Sequence, residues 1–334
     1  MQTKILTGAL LAAAAIATSA WAQDTPSASE TMDAPGQITD LDPIVVDGTR
    51  RLSDIVGSFV GDISTVHERN GQIARFDGRI CAGVIGLPAA QAQVVNDRVA
   101  RAALLVGLQV GRPGCHPNVV VVITDDSDKL AADLVARHKL TFQYHVAYQE
   151  RGPELLAEFQ RPGRAVRWWH LTERDEMGHD GGSRLRAAYE TDIFRAIILV
   201  DTRRTGPVTL EALGDYVAMT ALARLSPDAD LAGLDTVLSL FDTPSDQRPL
   251  SMTGWDEAYL KAVYSGDADT RSQWLQQRDI ATDMRLQIVA GNFCSEKQTA
   301  HVTRYAKPHQ SQFLDRINHN HLTTATSQLH QFAH

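Results

Sequence analysis

Histidines, acids, cysteines and serines are the side chains that could carry chemistry here, and their spacing decides what chemistry that would be. His138, His145, His170 and His179 fall in the middle of the chain, with Asp175, Glu176 and Asp180 nearby. An imidazole within reach of a carboxylate makes an acid/base pair, and several together hold a metal. None of these histidines, however, is spaced like a known ligand pair. His179 beside Asp180, within Gly178 to Gly182, is the nearest approach to an acid/base pair, although a surface loop histidine is the simpler reading. There is no Gly-x-Ser-x-Gly elbow to activate a serine and no glycine-rich phosphate cradle. No cofactor is implied. A hydrolase is implied only if scattered histidines and acids converge in a cleft.

The cysteines depend on the compartment, which the first 22 residues address. Lys4 supplies a positive start, Ile5 to Ala17 is almost uninterruptedly apolar, and Ala20-Trp21-Ala22 offers small residues for cleavage. This is the pattern of a secretory signal peptide, and the apolar run is shorter than the roughly 20 residues a membrane span needs. A periplasmic or secreted location is therefore expected, with no membrane span after cleavage. In that compartment Cys81 and Cys115 read as a disulfide. It would close a loop of about 35 residues and contribute about 3 to 4 kcal/mol on the chain-entropy model; the alternative is two buried thiols. Cys294 is left as the odd thiol, in a tail expected to be flexible.

A formal net charge of -8 argues against nucleic acid as the main partner. From Gln23 to about Asp40 the chain is rich in Ser, Thr, Pro, Ala and Asp, and reads as a disordered leader. Residues 41–290 read as a single globular domain, and residues 291–334 as a flexible His- and Gln-rich tail. His309, His319, His321, His330 and His334 within that tail would bind metal only incidentally.

The elements that must position any site are clearest from Arg79 onward. Ile80 to Gly86 reads as a strand and Pro88 to about Val106 as a helix. Val95, Val99, Ala102, Ala103 and Val106 lie on one face of that helix, and Gly107 is its left-handed stop. Val119 to Thr124 is a strand covered on both faces. Asp125, Asp126 and Asp128 then serve better as caps for a helix over Lys129 to Arg137 than as a cation site. This strand, helix, strand order implies a parallel crossover and an α/β class. Ala165 to His170 and Ala196 to Val200 are further strands. Trp168 and Trp169, adjacent in a strand, point to opposite faces, so one of them is the best single guess for a surface that binds a protein or peptide. Trp255, Tyr259 and Tyr264 read as helix packing.

Two resemblances attach to particular residues. Leu41 to Arg50, with Ile44-Val45-Val46-Asp47-Gly48-Thr49 at its centre, resembles the segment by which outer-membrane receptors engage the energy-transducing protein TonB. The match is confined to those residues, nothing downstream reads as the strands of a large barrel, and a plain edge strand over Ile44 to Val46 is the simpler reading.

The second resemblance is broader. Thr209 to Leu225 reads as a helix that ends at Ser226-Pro227-Asp228. Thr236 to Phe241 comes next as a short apolar stretch, and Thr253 then caps a helix that runs to Gly266, with Asp256 and Glu257 in its first turns. From Arg79 to Gly266 this order resembles the catalytic half of metzincin-like zinc peptidases. It implies a zincin-like α/β fold, with a mixed sheet containing the parallel crossover and a helical carboxy-terminal half. In that family the helix carries His-Glu-x-x-His, two imidazoles on zinc and a carboxylate that takes a proton from the bound water. The matching positions here are Asp215, Tyr216 and Met219, with Leu225 at the more distant third ligand. No histidine occurs between His179 and His301, so a shift of register restores nothing. The resemblance therefore implies a peptidase-like scaffold without a metal site, one that acts by binding.

Overall fold

The computed structural model of the protein describes residues 42–64, 72–139, 141–142, 153–176, 183–231, 233–270 and 272–298. The signal peptide, the leader, His145, His179 and everything past residue 298 lie outside the described residues. From Ile44 on, the elements belong to one compact unit.

The parallel unit forms as its hydrophobic pattern predicts. β1 (Ala82–Ile85) leads into α2 (Ala89–Leu105), which returns the chain to β2 (Val119–Thr124), paired in parallel with β1. Gly86 makes the exit from β1 at φ 92°, where a Cβ would lie 2.1 Å from the carbonyl oxygen of Ile123. β3 (Val166–Glu176) and β4 (Tyr189–Asp201) pair antiparallel, with an irregularity between Leu171 and Thr172. β4 also runs parallel to β2, so the sheet order is β1-β2-β4-β3 and β3 is an outer strand. The class is α/β, with a mixed four-stranded sheet.

Both faces of the sheet are covered, which is why β2 is apolar along almost its whole length. On one side Val119, Val121, Ile123, Ala196 and Ile198 meet α1 (Asp42–Ile63), α2, α6 (Leu210–Leu222), α7 (Gly254–Ser265) and α8 (Gln273–Gln298). On the other side Val120, Val122, Trp169, Leu171 and Leu199 meet α3 (Ser127–Arg137) and α4 (Pro153–Phe159). A one-turn α5 (Thr202–Thr205) closes the end of β4, and a 3-10 turn over Val237–Ser239 lies between α6 and α7. No described helix is long and apolar enough to cross a membrane.

One expectation is corrected. Residues 44–46 lie in α1, not in an edge strand, so the segment resembling the TonB contact, Ile44 to Thr49, is helical. The reason lies further along: Val56, Phe59, Val60 and Ile63 recur at helical spacing and are all buried, so the core selects a helix that three β-branched-rich residues taken alone do not suggest. α8 runs past residue 291 to Gln298 and includes Cys294.

The disulfide between Cys81 and Cys115 is formed, with the two Cα atoms 6.1 Å apart. It holds the start of β1 beside the segment leading into β2, where the Cys81 carbonyl accepts the Asn118 and Val119 N–H groups at 2.9 and 3.1 Å.

Candidate functional site

Asp215, Tyr216 and Met219, the positions that the resemblance aligns with zinc-binding residues, lie on α6. Thr209 caps it, its hydroxyl accepting the Ala212 N–H at 3.1 Å. Asp215 is buried, and its carboxylate is gripped by both Arg98 Nε, at 2.6 Å, and Arg98 Nη2 on α2. It also accepts the Met252 N–H at 2.6 Å. Gly214 permits this grip, since a Cβ there would lie 2.8 Å from Arg98 Cβ and Cγ. Tyr216 is half-buried and meets Phe241 edge-on at 4.9 Å; burial pushes its phenol above the ordinary range, and Asp242 adds to this. Met219 is wholly buried in the core and Leu225 nearly so.

A second buried carboxylate fixes the turn after α6. Asp256 is fully shielded and accepts the Val237 N–H at 2.8 Å and the Thr253 N–H at 2.9 Å, together with the Thr236 and Thr253 hydroxyls. Burial raises its pKa against the pull of these donors. Thr253 and Asp256 form a reciprocal capping box, so one side chain both starts α7 and anchors the 3-10 turn.

Of the four mid-chain histidines, His138 and His170 lie among the described residues. His138 ends α3, while His170 on β3 is buried with Nε2 at 2.9 Å from the Thr220 carbonyl and 3.2 Å from that of Ala221. Both partners are acceptors, so Nε2 carries a proton and donates to the carboxy-terminal end of α6. Among the described residues no group of three or more His, Cys, Asp or Glu is placed to hold a metal ion. Asp126 caps α3 through the Lys129 N–H at 3.0 Å, in line with the capping reading of the aspartates.

What the fold does assemble is a pocket. It lies between the first half of β3, α4 and the turn after α6, and encloses about 50 Å³. Leu155, Phe159, Trp168, Leu225 and Pro227 give it apolar walls; Arg164, Arg167, His170 and Arg224 give it cationic and donor groups. The tryptophans divide as strand geometry requires, but neither stands free on the surface. Trp169 is buried against Phe142 and Phe159, with ring centroids 5.5 and 5.9 Å away, whereas Trp168 is half-buried, packs toward the opposite face and lines the pocket.

Ion pairs hold the pocket's arginines. Arg164 binds Glu158 and Asp228, and donates to the Pro227 carbonyl at 2.6 Å. Burial alone would raise the Asp228 pKa, but Arg164 and Arg161 outweigh it and hold this carboxyl below its ordinary range. Arg167 is almost fully buried, donating to the Phe159 carbonyl at 3.0 Å and to Asp128. Asp128 also accepts Arg204 at 2.6 Å, and Arg204 in turn holds the buried Asp201 at 2.5 Å. The Arg167 Nε atom is buried without a partner among the described residues. Such an unmet donor typically costs about 1 to 3 kcal/mol, more when it is charged.

Arg98, Arg164, Arg167 and Arg224 are the residues that a search for catalytic motifs passes over. Their signal is present nonetheless: Arg167 interrupts Val166-Arg167-Trp168-Trp169, and Arg224 interrupts Ala223-Arg224-Leu225. A guanidinium inside an apolar run needs a partner from elsewhere in the fold.

Comparison of the chain with models of protein families, with curated proteins and with solved structures finds no match.

Proposed function

We propose that this protein is an exported, non-catalytic binding protein on a zincin-like scaffold, and that the pocket beside Trp168 is where it takes its partner. The observation that carries this reading is the engagement of Asp215. Its carboxylate is bound on both oxygens by Arg98 and the Met252 N–H, at the place where the family presents its first zinc-binding imidazole. Met219 and Leu225, at the other two ligand positions, are core side chains without lone pairs suited to catalytic zinc. The scaffold reading is further supported by the order of elements: a parallel crossover, an outer antiparallel strand, a buried helix, a turn and a closing helix. Export is supported by the Lys4, Ile5 to Ala17 and Ala20-Trp21-Ala22 pattern.

The test is metal content and peptidase activity of the mature chain, with His309, His319, His321, His330 and His334 replaced by Gln so that the tail captures no ion. We expect far less than one zinc per chain and no cleavage of a denatured protein substrate. About one tightly held zinc per chain, together with cleavage, overturns the reading.

A further inference from the structure

Three guanidinium groups and one imidazole line the pocket, against Glu158 as the one carboxylate in its lining. That carboxylate is already held, by Arg161 at 2.5 Å and by Arg164. The other carboxylates that pair with these arginines, Asp228 with Arg164 and Asp128 with Arg167, are not part of the lining. Arg167 adds an N–H that is buried and has no acceptor among the described residues. Leu225, Pro227 and the half-buried Trp168 flank these donors with apolar surface.

A small space lined by both guanidinium donors and apolar side chains suits a planar monoanion attached to an apolar body. Guanidinium groups match a carboxylate in geometry, and charge-assisted bonds in a shielded space are strong. The cavity of about 50 Å³ admits the head of such a ligand, and the apolar side chains of its lining offer contact to the body attached to it. We infer that the pocket captures a carboxylate, supplied either by the free carboxy-terminus of a peptide or by a small organic acid. This rests on the binding-protein reading above and names the chemistry its partner brings.

The experiment titrates the mature full-length chain with a tetrapeptide mixture randomised at every position, once as free acids and once as amides, following tryptophan fluorescence and heat. The free acids should bind at least about tenfold more tightly than the amides, the ratio expected when a charge-assisted pair is lost. Acetate that competes at concentrations comparable to the peptide acids assigns the small-acid source, and peptide binding that acetate leaves unchanged assigns the peptide terminus. Ser226→Asp, which brings a carboxylate to the pocket wall from the chain itself, should abolish acid binding while circular dichroism and thermal midpoint are retained. Equal binding of acids and amides, no binding of either, or stronger competition by inorganic phosphate than by the acids overturns the inference. Cleavage of the peptides would instead overturn the non-catalytic reading, so the two failures are told apart.

Discussion

Arg98 on α2 and Asp215 on α6 form a forked ion pair across 117 positions of sequence. The pair is shielded, with the Asp215 side chain 3% exposed and that of Arg98 17%. Removing one partner of such a pair leaves an uncompensated charge. Asp215→Ala should therefore destabilise the protein by about 3 kcal/mol in urea unfolding, and Arg98→Met with Asp215→Leu should recover much of that loss. A fully stable Asp215→Ala variant would show that the pair is incidental.

Gly214 gives a separate handle on the same junction. A methyl group there would press on Arg98 at 2.8 Å, so Gly214→Ala should cost about 1 to 3 kcal/mol despite the better helix propensity of alanine. A stabilised variant, measured by thermal midpoint, would mean that α2 and α6 are free to separate.

The tryptophans should behave differently although they are neighbours. Trp169→Ala removes a buried ring between Phe142 and Phe159, and should cost about 3 to 5 kcal/mol. Trp168→Ala should cost much less stability and instead weaken capture of carboxylate ligands. Parallel unfolding and binding measurements on the two variants check this.

The outer end of the β3–β4 hairpin should respond to pH. Glu190 faces Asp175 across the strands and Asp192 faces Glu173, with Asp77 and Arg75 beside them. Burial, then Asp77, Glu190 and Asp175, push Asp192 up to about 6 against the pull of Arg75. A carboxyl raised in the folded state binds its proton more tightly there than in the unfolded chain. This contribution to stability is therefore present below pH 4 and is lost as pH rises through 6. Asp192→Asn should stabilise the fold by about 1 kcal/mol at pH 7.5, once solvent screening is allowed for, and should change little at pH 4. Thermal midpoints at the two pH values test it; a stabilisation independent of pH would rule it out.

Opening the Cys81–Cys115 disulfide should lower stability by about 3 to 4 kcal/mol on the chain-entropy model. Denaturant midpoints with and without reductant, and for a Cys81→Ser, Cys115→Ser variant, give the size of the effect.

Much of the fold was legible in the sequence because its causes are local. The run Val119 to Ile123 is apolar without alternation and becomes a strand covered on both faces. Val95, Val99, Ala102 and Ala103 repeat at helical spacing and are buried on α2. Thr253 with Asp256 is a capping signal within one turn, and two cysteines in a chain with an export pattern point to each other. Local pattern also misled at Ile44 to Val46, where burial of residues further along made a helix.

The site was decided by tertiary structure. Nothing near Asp215 in sequence announces Arg98, nothing near Arg167 announces Asp128, and His170 becomes a donor to α6 only because β3 is laid against it. Charged side chains interact through space with an energy that depends on separation and shielding, and both are set by packing. The sequence by itself determined most of the segments that would be strands and helices, Ile44 to Val46 excepted. Only the folded chain decided that the Asp215 carboxylate would be consumed by Arg98, and that three other arginines would be gathered into a pocket beside Trp168.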